Sequence, residues 1–228
     1  MKYYLISGEA SGDLHGSYLI AALKKLDPKA EFRAWGGDLM EKEGAMLVKH
    51  FKDLAFMGFW EVVRHLPTIL NNILYCKQDI LLFQPDVIIY IDYPGFNLRI
   101  AEWAKTQNFK NHYYISPQVW AWKENRVIQM KRYLDALYVI LPFEKLFFEE
   151  KHQFPVHFVG HPIQDELCTY KEHRKFFEVH QLDPKTPIIA LLPGSRLQEI
   201  HKMLPLFIQV ATHFKSFQFV IAGAPGIP

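Results

Sequence analysis

Apolar side chains along this chain fall into two kinds of run. Short blocks of mostly consecutive apolar residues recur at 2–7, 31–35, 86–91, 111–115, 136–140, 156–159, 187–192 and 217–222. Blocks such as DVIIYI and IIALL do not alternate with polar residues, as a strand with one wet face would. They carry the pattern of parallel strands covered on both faces. Between them, apolar positions return every three or four residues, which predicts helices over 13–26, 37–44, 58–83, 96–107, 122–133, 143–152 and 196–213. Strands alternating with helices at this spacing predict a doubly wound α/β sheet. Pro67 should break the long 58–83 pattern into two helices.

The pattern loosens after HFVGHPIQDE (157–166). Residues 167–186 are polar and charged, with Asp183-Pro184 and Thr186-Pro187 as turn signals, and a second strand–turn–helix–strand begins at Pro187. The expected organisation is a Rossmann-like domain over 1–165, a linker over 166–186 and the start of a second Rossmann-like domain over 187–228. Two strands and one helix leave apolar edges and faces open, so the second domain is expected to be incomplete.

Composition narrows the function classes. Half of the 228 residues are hydrophobic and 22% are charged, enough for a sizeable core and against disorder. A net charge of +2 and a pI near 8.4 are too weak and scattered for nucleic acid, but suit an anionic substrate or surface. Cys76 and Cys168 form neither a disulfide framework nor a zinc-type cluster, and the 11 histidines show no metal-ligand spacing. The opening MKYYLISGEA is too short before its polar turn for a signal peptide. No apolar run approaches the ~18 residues of a membrane span. A cytoplasmic, soluble or peripheral protein without a metal is expected.

Five constellations hold candidate chemistry. In LISGEASGDLHG, Gly8, Gly12 and Gly16 match neither nucleotide-loop spacing. The glycines allow positive φ and close backbone approach to a ligand. Ser11 can cap the helix and Asp13 suits its dipole. The alternative is a ligand site in which Glu9 and Asp13 accept hydrogen bonds from sugar hydroxyls, since acids there would repel phosphate.

In IIYIDYPGFN, Asp92 follows a buried strand at the carboxyl edge, where open α/β sheets place ligands. Partial desolvation would suit it to act as a general base; the alternative is a helix cap, and Asn97 is read as a cap. In YYISPQVWAWKENRV, Trp120 reads as core, whereas Trp122, followed by Lys123 and Arg126, is as well read as a stacking face at the same edge. In IALLPGSRLQEI, Ser195 and Gln198 form a capping-box pattern. Arg196 with bare helix amides would hold a diphosphate. The stripe Phe59, Val62, Val63, Leu66, Ile69, Leu70, Ile73 and Leu74 reads either as a core face or as an apolar surface for a membrane or acyl chain.

Taken in order, SGEASGDLHG, MGFWEVV, IDYPGFN, YYISPQVWAWK, LPFEKLFF, VGHP and LLPGSR resemble the lipid-A-disaccharide synthase family over essentially the whole chain. The resemblance implies a GT-B-like α/β fold and an inverting glycosyltransferase without a cofactor. It would transfer 2,3-diacylglucosamine from UDP to the 6-hydroxyl of 2,3-diacylglucosamine 1-phosphate (lipid X), giving a β-1,6-linked disaccharide 1-phosphate and UDP. By position, Asp92 would be the base, and Ser195 and Arg196 would bind the donor diphosphate. Glu9, Ser11, Gly12, Asp13, Asn97 and Trp122 would contact substrate, and Met57, Phe59, Trp60, Val63, Leu66 and Leu70 would meet membrane or acyl chains. The resemblance further implies a peripheral protein on the inner face of the Gram-negative inner membrane, with homodimerisation open. Two departures stand out: Gly95 replaces a second acid that occurs in the family, and family chains continue well beyond residue 228. The alternative is a catalytically inactive lipid- or sugar-binding fragment of such an enzyme. A nicotinamide-dependent oxidoreductase is set aside for want of its glycine fingerprint.

Overall fold

In β1 (Lys2–Ser7) every side chain from Tyr3 to Ser7 is buried, yet successive residues serve different cores. Tyr4 and Ile6 face one layer together with Ile88, Tyr90, Tyr113 and Leu137. Tyr3 and Leu5 face the other with Val87, Ile89 and Ile91. This is the two-residue period of a strand held between helical layers. The structure, a computed structural model, describes residues 1–54, 66–170, 175–195 and 197–223.

β1 is joined by β2 (Glu31–Gly36), β3 (Met46–His50), β4 (Val87–Ile91), β5 (Asn111–Tyr114), β6 (Ala136–Val139) and β7 (His157–Phe158). Among the described residues they form one parallel sheet in the order β3-β2-β1-β4-β5-β6-β7. α1 (Ala10–Leu26) and α2 (Asp38–Lys42) cover one face through Ile20 and Met40. α3 (Leu66–Phe83), α4 (Pro94–Thr106) and α5 (Arg126–Tyr133) cover the other through Ile73, Cys76, Ile80, Ile100, Ala101 and Met130. α6 (Pro142–Leu146) continues into a π-type turn over Phe147–Lys151. A polar pin lies inside the second layer. The Tyr4 hydroxyl donates to Asp79 at 2.8 Å and accepts from the Trp35 indole at 2.9 Å, while Arg33 pairs with Asp79 at 3.1 Å.

The chain divides into two compact units, Met1–Asp165 and Glu166–Pro228. Residues 166–186, read from composition as a linker, carry the end of α7 (Ile163–Thr169) and all of α8 (Phe176–Val179). In the second unit, β8 (Ile188–Leu191) and β9 (Gln218–Ile221) pair in parallel, with α9 (Leu197–Ala211) between them in sequence. Leu206, Ile208 and Val210 of α9 are exposed.

Several expectations need correcting. β3 was not foreseen, because MLVKH is a half-exposed edge strand without a buried apolar block. α5 starts at Arg126 rather than 122, because Lys123 is left-handed (φ 57°) and the Lys123 carbonyl closes a turn with the Arg126 amide at 3.0 Å. Pro67 lies at the start of the described part of α3. The break expected there concerns residues outside those described. No described helix is long and apolar enough to cross a membrane.

Candidate active site at the sheet switch point

The chain leaves β1 for β2 on one side and leaves β4 for β5 on the other. These crossovers diverge at the adjacent carboxyl ends of β1 and β4, opening the crevice where doubly wound sheets take ligands. Ser7 is in register with Ile91, so residues 8–13 and 92–97 emerge side by side.

Asp92 and Tyr93 are both left-handed, with φ of 45° and 50°. Each such non-glycine residue costs about 1–2 kcal/mol. Two side chains hold the pair in place through one acceptor: the Asp92 carbonyl takes a hydrogen bond from Asn97 Nδ2 at 2.6 Å and another from the Tyr113 hydroxyl. The same Asn97 nitrogen lies 3.3 Å from the Ile6 carbonyl and 3.4 Å from that of Ile91. Asn97 is fully buried, and it ties the ends of β1 and β4 to the Asp92 turn. It is therefore not the cap read from the sequence; Tyr93 occupies the N-cap position of α4 and Pro94 opens the helix. Asp92 itself is exposed.

The Tyr93 ring packs between Gly8 and Phe96. A Cβ on Gly8 would lie 2.5 Å from that ring, and the ring stacks on Phe96 at 5.4 Å. Burial, then the Glu9 carboxylate, push the Tyr93 hydroxyl pKa up; burial, then the Asp92 charge, do the same for Tyr113.

The opening turn departs from its reading. Glu9, not Ser11, is the N-cap residue of α1, and its side chain makes no cap bond; Ser11 is exposed in the first turn. Gly12 is needed for close packing, since a Cβ would meet the Ser7 side chain at 2.7 Å, and none of Gly8, Gly12 and Gly16 has positive φ. Asp13 was expected to serve its own helix or a sugar. Instead it is buried and caps α2, accepting from the amides of Gly37 at 2.8 Å, Leu39 at 3.1 Å and Met40 at 3.1 Å. Only the tertiary approach of α2 brings those amides to it.

Beyond β5, the Trp120 indole donates to Glu144 at 3.1 Å and meets Phe143 edge-on. Glu144 is buried and also accepts from the amides of Ile140 and Leu141 at 3.1 and 2.9 Å. This carboxylate fixes the root of the loop that carries Trp122, which is 60% exposed.

In the second unit, Gly194 turns the chain with φ 116° into α9. The Ser195 amide donates to Glu199 at 3.1 Å, so the expected Ser195–Gln198 box gives way to a Ser195–Glu199 contact and that amide is not bare. Arg196 lies outside the described residues, as do Met57, Phe59, Trp60 and Val63 and the side chain of Leu66. Along α3 the apolar stripe splits: Ile73 is buried, whereas Leu70 (50%) and Leu74 (57%) are exposed.

The family model for lipid-A-disaccharide synthetase matches residues 3–221. The chain belongs to the lipid-A-disaccharide synthase family. It is 41% identical over 228 residues to the synthase of Chromohalobacter salexigens, covering 98% of this chain and 59% of that protein. Identity to the Coxiella burnetii synthase is 38% over 221 residues, covering 95% and 58%. The chain thus spans under two thirds of the length of these curated relatives. Among solved structures, a UDP-GlcNAc 2-epimerase from Neisseria meningitidis bound to UDP-GlcNAc matches with a TM-score of 0.68 at 12% identity, covering 99% of this chain and 67% of that one. A calicheamicin glycosyltransferase matches with a TM-score of 0.52 at 14% identity, covering 99% and 64%. The fold class is accordingly GT-B-like α/β.

Three residues that hold these turns and loops in place escaped sequence reasoning. Tyr113 and Tyr93 gave no local signal, because their role depends on contacts between separate crossovers. Glu144 had one: it stands two residues after Pro142, at the capping-box position of a new helix.

Proposed function

We propose that the protein of which these 228 residues form part is an inverting glycosyltransferase that makes the lipid A disaccharide 1-phosphate. The observation that carries this reading is an exposed carboxylate, Asp92, held at the switch point by a strained turn. Asp92 takes the proton of the acceptor 6-hydroxyl, whose oxygen attacks the anomeric carbon of UDP-2,3-diacylglucosamine from the face opposite the leaving group. The bond from that carbon to the diphosphate oxygen breaks, and UDP departs with the electron pair. Arg196 and the amides near Ser195 supply the positive field for the departing diphosphate. On this reading the unit over 1–165 receives acceptor and membrane, and residues 187–228 begin the UDP-sugar domain. Glu9, Ser11 and Trp122 line the acceptor side, while Gly12, Asn97 and Asp13 shape it from behind.

The exposed Leu70 and Leu74 support a peripheral contact with the anionic inner-membrane surface. The second reading, lipid or sugar binding without turnover, draws on the same exposed Leu70 and Leu74. Two measurements separate them: radiolabelled transfer by the full reading frame containing residues 1–228, and co-sedimentation of the 228-residue chain with anionic vesicles. Asp92→Ala should abolish transfer without lowering the melting temperature. Near-normal turnover in that variant removes Asp92 from the mechanism, and vesicle binding without turnover by the wild type supports the second reading.

A further inference from the structure

From Ile115 to Leu134 the chain carries one acid, Glu124, and four cations, Lys123, Arg126, Lys131 and Arg132. The single acid is engaged elsewhere: its carboxylate lies 2.7 Å from Lys151 and 3.0 Å from His152, and the hydrogen bond from Lys151 is the main cause holding its pKa below the usual range. Lys123 and Arg126 are left without a carboxylate partner among the described residues. Both are gathered on one ring, Lys123 Nζ 4.6 Å and the Arg126 guanidinium carbon 5.6 Å from the Trp122 centroid. The left-handed Lys123 and its turn to Arg126 hold the two cations on that ring. Cation–π attraction lets two like charges lie against one ring without an acid between them.

The position is as telling as the charge. This loop leaves β5, and the Asp92 turn leaves β4, the adjacent strand in the sheet. The Tyr113 hydroxyl that holds the Asp92 carbonyl also feels the Arg126 charge. The Trp122 loop and the Asp92 turn therefore leave neighbouring strands at the same sheet edge.

We propose that Lys123 and Arg126, seated on Trp122, form the subsite for the phosphate monoester of the acceptor sugar. The assignment rests on the transferase reading and deepens it. The two cations, held against the indole, neutralise the dianion. The site thereby distinguishes the phosphorylated acceptor from the donor, whose anomeric phosphate is part of a diphosphate.

The test is steady-state transfer by the full reading frame, using the phosphorylated acceptor and the same diacyl sugar lacking phosphate. Lys123→Gln/Arg126→Gln should raise KM for the phosphorylated acceptor about tenfold or more, with kcat and the donor KM within twofold, and leave the other acceptor unaffected. Equal losses for both acceptors, or an unchanged KM, overturn the subsite while wild-type turnover keeps the transferase reading intact. Weaker binding to phosphatidylglycerol vesicles with an unchanged acceptor KM also overturns it, assigning the cations to lipid headgroups. A readout independent of turnover is calorimetry on the 228-residue chain with N-acetylglucosamine 1-phosphate and with N-acetylglucosamine. Preference for the phosphate form that disappears in Arg126→Gln, but survives in Asp92→Asn, supports the subsite even if the wild type fails to turn over. Equal binding of the two sugars overturns it.

Discussion

Replacing Tyr113 with phenylalanine removes one oxygen and leaves the core ring in place. The lost group is the hydroxyl that donates to the Asp92 carbonyl. Two successive left-handed residues, Asp92 and Tyr93, store about 2–4 kcal/mol at about 1–2 kcal/mol each. Against this stand the two hydrogen bonds to the Asp92 carbonyl, each contributing about 1 kcal/mol net, and the packing of Tyr93 on Gly8 and Phe96. The balance is close, so losing one bond tilts it. Tyr113→Phe should lower the unfolding free energy of the chain by about 1 kcal/mol, seen as a lower urea midpoint at constant m. The fraction of protein holding the turn should fall by up to about fivefold, and kcat with it, because a rate scales with the competent fraction. Acceptor and donor KM should stay put. Asn97→Ala, which removes the donor serving three carbonyls, should be the more damaging change on both measures. A Tyr113→Phe enzyme that loses stability but keeps full kcat, or that changes only KM, would refute the claim that the carbonyl latch positions Asp92.

Other outcomes follow from single groups. Asp13→Ala should destabilise the chain by about 1–3 kcal/mol through the lost α2 cap, with Asp13→Asn milder; a raised acceptor KM at unchanged stability would instead mean contact with substrate. Glu199→Gln should lower the donor KM about two- to fivefold, since the carboxylate on the Ser195 amide no longer opposes an incoming diphosphate. His112 is held below its usual pKa by burial first and by Lys110 and His157, against the pull of Asp135, so the unfolded chain binds the proton more readily. Its contribution is complete above pH ~6.5 and is lost as pH falls below that value; His112→Gln should flatten this part of the stability curve measured by denaturant titration.

Consecutive apolar blocks such as VIIYI announce burial on both faces, and burial on both faces requires helices above and below a parallel sheet. The sheet, most of its helices and the placing of Asp92 at a strand's carboxyl edge were therefore legible in one dimension. Seven ordered motifs made the family legible too. Edge strand β3 was not, because an edge needs no buried block and leaves little periodicity to read.

The working parts of the site depended on distance in space rather than distance along the chain. Asp13 looks like a dipole residue of α1 until α2 delivers three amides to it from residues 37–40. Asn97 looks like a cap until the strand ends at Ile6 and Ile91 converge on its amide, and Tyr113 looks like core until its hydroxyl meets the Asp92 carbonyl. A residue's own neighbours fix its propensity and its face, so the sequence alone determined architecture and family. A hydrogen bond needs its partner within about 3 Å, and for these buried groups only the assembled sheet decided which partner that was.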